Sequence, residues 1–248
     1  MKSILYRNDG LAKMITRVGE AAAIVSRNFW AEGRCGCFSA DVTEFMPEDA
    51  SDMISISPEY PIGRSVPHLK GRYFFCSGKL ASMRDFARYP MEHGSIVRLN
   101  DDCTSFEAVA DKFVRCSEEF SAHLAAYEKF AEKSVSAVSI AHVYPLESEL
   151  ALKIFDGDVE KLLETAKSLA PEHFRIFKKG LKKLVFSDFS DEDFVNGLSS
   201  ELSGGDIAIL PSRGVVSYGR EPASAVDKIS AFVHACKIII EHKKLGLL

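Results

Sequence analysis

Residues 33–42, GRCGCFSADV, set the frame for the rest of the chain. The glycines mark a turn and the residues after it the entrance to a strand. Immediately upstream, residues 10–31 place Leu11, Met14, Ile15, Val18, Ala22, Val25 and Phe29 at the three-and-four spacing of an amphipathic helix, with Asn8 or Asp9 available to cap it. Downstream, Phe74-Phe75 and Ile96-Val97 mark two more short strands. Between turn and strands, residues 44–70 hold four of the nine prolines and read as a long irregular excursion, which in a compact domain is usually functional or poorly ordered.

Further outward, the turn Asn100-Asp101-Asp102 precedes another strand. A helix from near Ser117 then carries Phe120, Leu124 and Tyr127 on one side and Glu118 and Glu119 in its first turn. Residues 135–143 are short, apolar and β-branched, a buried strand, followed by helices over 146–155 and 158–169. Ser190 with Asp193 is a capping box for a short helix ending at Leu198. Strands at 206–210 and 215–218 flank Pro211-Ser212-Arg213-Gly214. The last helix, over 221–243, aligns Val226, Ile229, Val233, Cys236 and Ile240 on one stripe. Mixed strands with helices before, between and after them predict one α/β domain over 1–248, its sheet covered on both faces.

Composition narrows the partners. With 46% hydrophobic and 27% charged residues, and no apolar run near the roughly 18 residues a membrane helix needs, the chain reads as soluble and globular. The N-terminal stretch lacks a secretory or transit pattern, so a cytoplasmic home is expected. Net charge is −4 with the basic residues dispersed, which argues against a nucleic acid partner. The six cysteines, at 35, 37, 76, 103, 116 and 236, are too few to build a disulfide scaffold and read as free thiols.

Four stretches in order resemble landmarks of the class II aldolase/adducin family, most closely its rhamnulose-1-phosphate aldolase branch. Phe29-Trp30 running into Gly33-Arg34-Cys35-Gly36-Cys37-Phe38-Ser39 is similar to the phosphate loop. Phe75-Cys76-Ser77-Gly78-Lys79 resembles the second substrate loop. Cys116 to Leu124, CSEEFSAHL, is similar to the segment opening the helix that bears the catalytic glutamate. Residues 137–145 and 210–219 resemble the two zinc-ligand segments. The resemblance implies a three-layer α/β/α sandwich with a mixed, largely antiparallel central sheet, a homotetramer, and a phosphorylated sugar or other anion as the small-molecule partner.

By the same resemblance Glu119 takes the place of the acid/base glutamate. Gly36, Cys37, Ser77, Gly78 and Ser117 fall in the phosphate pocket, the loop asparagine being replaced by Cys37. Two histidines two apart on a strand would share a face and one metal ion, but here the pair is Ile140 and His142. The third histidine position is Arg213, a permanent cation. His142 is thus the one retained metal position. No cofactor is expected, unless ligands outside these segments complete a zinc site. Arg213 could take an anion where the metal is missing, or pair with Asp206 or Glu221 for structure. Lys79 is either a phosphate partner or a surface lysine. Glu119 could equally be a solvated first-turn acid, and His123 is expected to pack or hydrogen-bond within its helix. Phe177-Lys178-Lys179-Gly180 has a lysine where the branch carries a glutamate. Three readings follow: a divergent member that binds a sugar phosphate without zinc-dependent aldol cleavage, a working sugar-phosphate aldolase, and an adducin-like interaction module.

Overall fold

The computed structural model describes residues 4, 8–110, 112–183 and 192–248. Helix α1, Asp9–Arg27, starts where the Asn8 side chain accepts the Leu11 amide. It ends in a Schellman-type stop, with Phe29 at φ 58° and the Trp30 amide bonded to the Val25 carbonyl at 3.1 Å. The chain then forms β1 (Cys37–Asp41), β2 (Tyr60–Pro61), β3 (Tyr73–Ser77), α2 (Met83–Arg88), α3 (Pro90–His93), β4 (Gly94–Leu99), β5 (Ser105–Ala108) and α4 (Phe120–Glu132). The remainder is β6 (Ser139–Val143), α5 (Leu146–Ile154), α6 (Val159–Leu169), β7 (Leu181–Lys183), α7 (Glu192–Gly204), β8 (Ile207–Leu210), β9 (Gly214–Gly219) and α8 (Pro222–Lys244).

The described strands make one nine-stranded sheet in the order β2-β5-β4-β3-β1-β6-β9-β8-β7, antiparallel except for the β7–β8 pair. Alternation along each strand divides the core into two. Phe38, Phe75, Ala141, Val143 and Val215 face α1, α2, α5, α6 and α8. Phe74, Cys76, Ile140, Val216 and Tyr218 face α4 and α7. The three-layer α/β/α sandwich expected from the sequence is therefore present.

Some expectations need correcting. Helix α4 begins at Phe120, so Glu119 is its cap residue and Glu118 lies outside it, not in the first turn. The excursion is pinned by short 3-10 turns and by β2 on the sheet edge. Helix α7 continues past Leu198 to Gly204. Ser190, half of the expected capping box, lies outside the described residues. Among the described residues, no helix is long and apolar enough to cross a membrane.

Candidate active site

The register of the central strands places the site. Cys37 on β1 pairs with His142 on β6, and His142 pairs with Val216 on β9, so loop ends from three adjacent strands meet at one end of the sheet. Gly36 enters β1 at φ 95°, and a Cβ there would lie 3.2 Å from the His142 carbonyl, so only glycine brings this loop so close to β6. On the other side, Gly214 at φ 86° closes the β8–β9 turn, where a Cβ would fall 2.1 Å from the Val143 carbonyl.

Glu119 sits half-buried at the mouth of α4. Its Oε2 accepts from the Ser117 hydroxyl and its Oε1 from the Tyr144 hydroxyl at 3.4 Å. Cys37 is fully buried between the Ser77 and Ser117 hydroxyls, 3.9 Å from His123 Nδ1. Burial, reinforced by the Glu119 charge, pushes its thiol well above the usual range, so it is a neutral lining group and not a thiolate. Ser77 Oγ accepts the Phe38 amide at 3.0 Å and can still donate. The Gly78 amide, expected to serve a phosphate, is instead bonded to the His93 carbonyl at 2.7 Å. That loop therefore offers a hydroxyl, and its Gly78 N–H is already committed. Lys79 pairs with Glu118.

His142 is buried, and its Nε2 donates to the Arg213 carbonyl at 2.8 Å. Burial lowers its pKa, outweighing the upward pull of Glu119 and of that carbonyl, so the imidazole is neutral with Nε2 carrying the proton. Its ring stacks on Tyr144 at 4.9 Å and 23°. Arg213 is half-buried in the turn above, its amide bonded to the Leu210 carbonyl. The two acids proposed as its structural partners are engaged elsewhere: Asp206 with Lys228 at 3.1 Å and Glu221 with Arg17 at 3.7 Å.

Fit to a zinc ion can be judged on the donor set. Ile140 shares the face of His142, as strand geometry requires, but packs into the apolar cluster beneath α4 and α7 and has no lone pair. The outer nitrogen of His142 is spent on a backbone carbonyl. Among the described residues, no three His, Cys, Asp or Glu side chains converge as a ligand set. The residues present do not fit the zinc that the family resemblance implies.

His123 packs in the core as expected, but its hydrogen bond leaves its own helix. It bonds across to β1, Nδ1 lying 2.8 Å from Ser39 Oγ, and its buried Nε2 has no partner among the described residues. Burial, with His142 nearby, pulls its pKa down to about 3. Lys179 lies toward the other end of β9, its Nζ 5.8 Å from the Tyr218 ring centroid. A hollow of about 890 Å³ beside the excursion is lined by Glu59, Asp101, Asp102 and Glu107 and contains none of the site residues. Its acidic wall is ill-suited to an anion, so its size does not make it the site.

The structure thus brings together Gly36, Cys37, Ser77, Ser117, Glu119 and His142, and places the Arg213 backbone against them. The sequence reading missed Tyr144. It stands one residue beyond the strand assigned at 135–143, and its position two after His142 was the available signal.

No family model matches the chain. Over 99% of its length it is 31% identical to a rhamnulose-1-phosphate aldolase of Bacteroides thetaiotaomicron, covering 92% of that protein. Its fold is similar to that of a sugar-phosphate aldolase from Thermotoga maritima, at a TM-score of 0.82 and 19% identity over 95% of this chain and 97% of the other. It is also similar to that of L-fuculose-1-phosphate aldolase from Thermus thermophilus, at a TM-score of 0.56 and 12% identity over 95% of this chain and 96% of the other. The full-length sequence relation and the shared sandwich together establish that this chain belongs to the class II aldolase family, as a homologue of rhamnulose-1-phosphate aldolase.

Proposed function

We propose that the chain binds a phosphorylated sugar, or a related small anion, in the Gly36–Ser77–Ser117–Glu119 pocket and does not perform zinc-dependent aldol cleavage. One observation carries the second half. At the three positions that the family resemblance assigns to the metal stand a buried isoleucine, a histidine whose Nε2 is bonded to a carbonyl, and an arginine. A divalent ion needs about three protein ligands in an open catalytic site, and this trio offers at most one. The first half is supported by the Ser77 hydroxyl beside the Gly36 turn and by relatives whose names are those of sugar-phosphate aldolases. The Arg213→Ala variant tests whether its guanidinium also contributes, with phosphate binding expected to weaken by about tenfold.

Metal analysis of protein purified without chelator should find far less than one zinc per chain. Melting should rise with dihydroxyacetone phosphate, as it must for any ligand that prefers the folded state. A second reading, a working zinc-dependent aldolase, is favoured by the 31% identity to a protein named rhamnulose-1-phosphate aldolase and by Glu119, which the resemblance puts at the acid/base position. One tightly held zinc per chain and cleavage of rhamnulose 1-phosphate would establish it. Absence of a shift with any sugar phosphate would favour an interaction module. A homotetramer is proposed on family resemblance alone, and light scattering would measure it.

A further inference from the structure

The loss of metal ligands leaves a chemical question. An aldolase scaffold stabilises an enediolate, and its oxyanion needs a partner when no metal supplies one. Tyr144 is the side chain placed to be that partner. Its amide donates to the Trp30 carbonyl at 2.6 Å, its ring lies on His142, and Pro145 starts the next helix behind it. His142 is in turn held by the Arg213 carbonyl. The effect is to aim the phenol at Glu119 Oε1, 3.4 Å away. In an α-hydroxy ketone the acidic carbon and the carbonyl oxygen are two bonds apart. A base and a hydrogen-bond donor this close together can therefore address both at once.

We propose that Glu119 and Tyr144 form a metal-independent enolising pair for a phosphorylated α-hydroxy ketone. The inference rests on the binding reading above. Glu119 takes the proton from the hydroxyl-bearing carbon. The C–H electron pair becomes the new carbon–carbon double bond, and the carbonyl π pair moves onto oxygen, where Tyr144 donates a hydrogen bond. Return of the proton, or of a solvent deuteron after exchange on the carboxyl group, restores the ketone, so no oxidant, reductant or second substrate is consumed. Ser117, bonded to the other carboxylate oxygen, fixes the orientation of the base.

The test is proton NMR of dihydroxyacetone phosphate in D2O with chelator-treated full-length protein, with binding measured in parallel by calorimetry. The expected result is deuterium entry at the hydroxyl-bearing carbon. Glu119→Gln should abolish it, and Tyr144→Phe, which keeps the ring on His142, should slow it about 100-fold while leaving affinity within about threefold. Circular dichroism checks that both variants fold, and the wild-type exchange rate is decisive without them. Binding without exchange, or full exchange in Tyr144→Phe, overturns the enolising pair and leaves the binding reading standing. Exchange that appears only on adding zinc overturns the metal-independent route and supports the aldolase. No binding at all removes the binding reading and this inference with it.

Discussion

His123 shows how a single buried side chain sets a pH limit. Held neutral with a pKa of about 3, against an ordinary value near 6.5, it takes up a proton far more readily when the chain is unfolded. The stability this gives is complete above pH 6.5. It is lost as pH falls toward 3, at about 1.4 kcal/mol per pH unit, because in that window the unfolded state binds the extra proton. His142 shifts in the same direction and adds to the slope. Urea midpoints at pH 7 and pH 5 should therefore fall together with acid, and His123→Gln should flatten part of the decline. At Gly36 the expectation is steric: Gly36→Ala meets a left-handed φ and a backbone carbonyl, and should cost about 1–3 kcal/mol in denaturant melts. At this scale the sequence was informative where chemistry depends on residue type. Ile140 and Arg213 could be read as non-ligands because neither has a lone pair to give. Tyr144 had only its position two after His142 to mark it, and the commitment of the Gly78 amide was not readable, since it depends on which backbone groups meet where β3 pairs with β4.

Among the elements, those with a long apolar period were legible. Helices α1 and α8 and strand β6 fall close to where spacing put them, because each buries a continuous face in the core. Helices α2 and α3 and strands β2 and β7 did not emerge. They are two to six residues long, too short for a period to show, and Pro90 interrupts the 83–93 stretch. Capping makes a testable difference here. Asn8 both accepts the Leu11 amide and donates to the Phe45 carbonyl, tying the start of α1 to the first turn of the excursion. Asn8→Ala should cost about 1–2 kcal/mol by thermal or chemical unfolding, with Asn8→Asp recovering the cap but not the tie.

For the whole molecule, the single sheet runs under every helix of both layers, and the two apolar clusters are its two faces. We propose that residues 1–248 unfold as one unit. Calorimetric and van't Hoff enthalpies should then agree within error, and two separate transitions would show that the chain divides. The order of elements along the sequence was enough to predict a sheet covered on both sides, since helices fall before, between and after the strands. Which strand neighbours which was beyond it. The joining of β1 to β6, far apart along the chain, is what assembles the pocket, and it is a property of the fold that no local pattern encodes. The neighbouring contact, of β6 with the β8–β9 turn, makes the site observable before any ligand is known. An imidazole proton clamped between a strand and a hairpin oxygen, out of reach of solvent, should persist as a far-downfield NMR resonance, and its loss or displacement during a titration would report occupancy of the pocket directly.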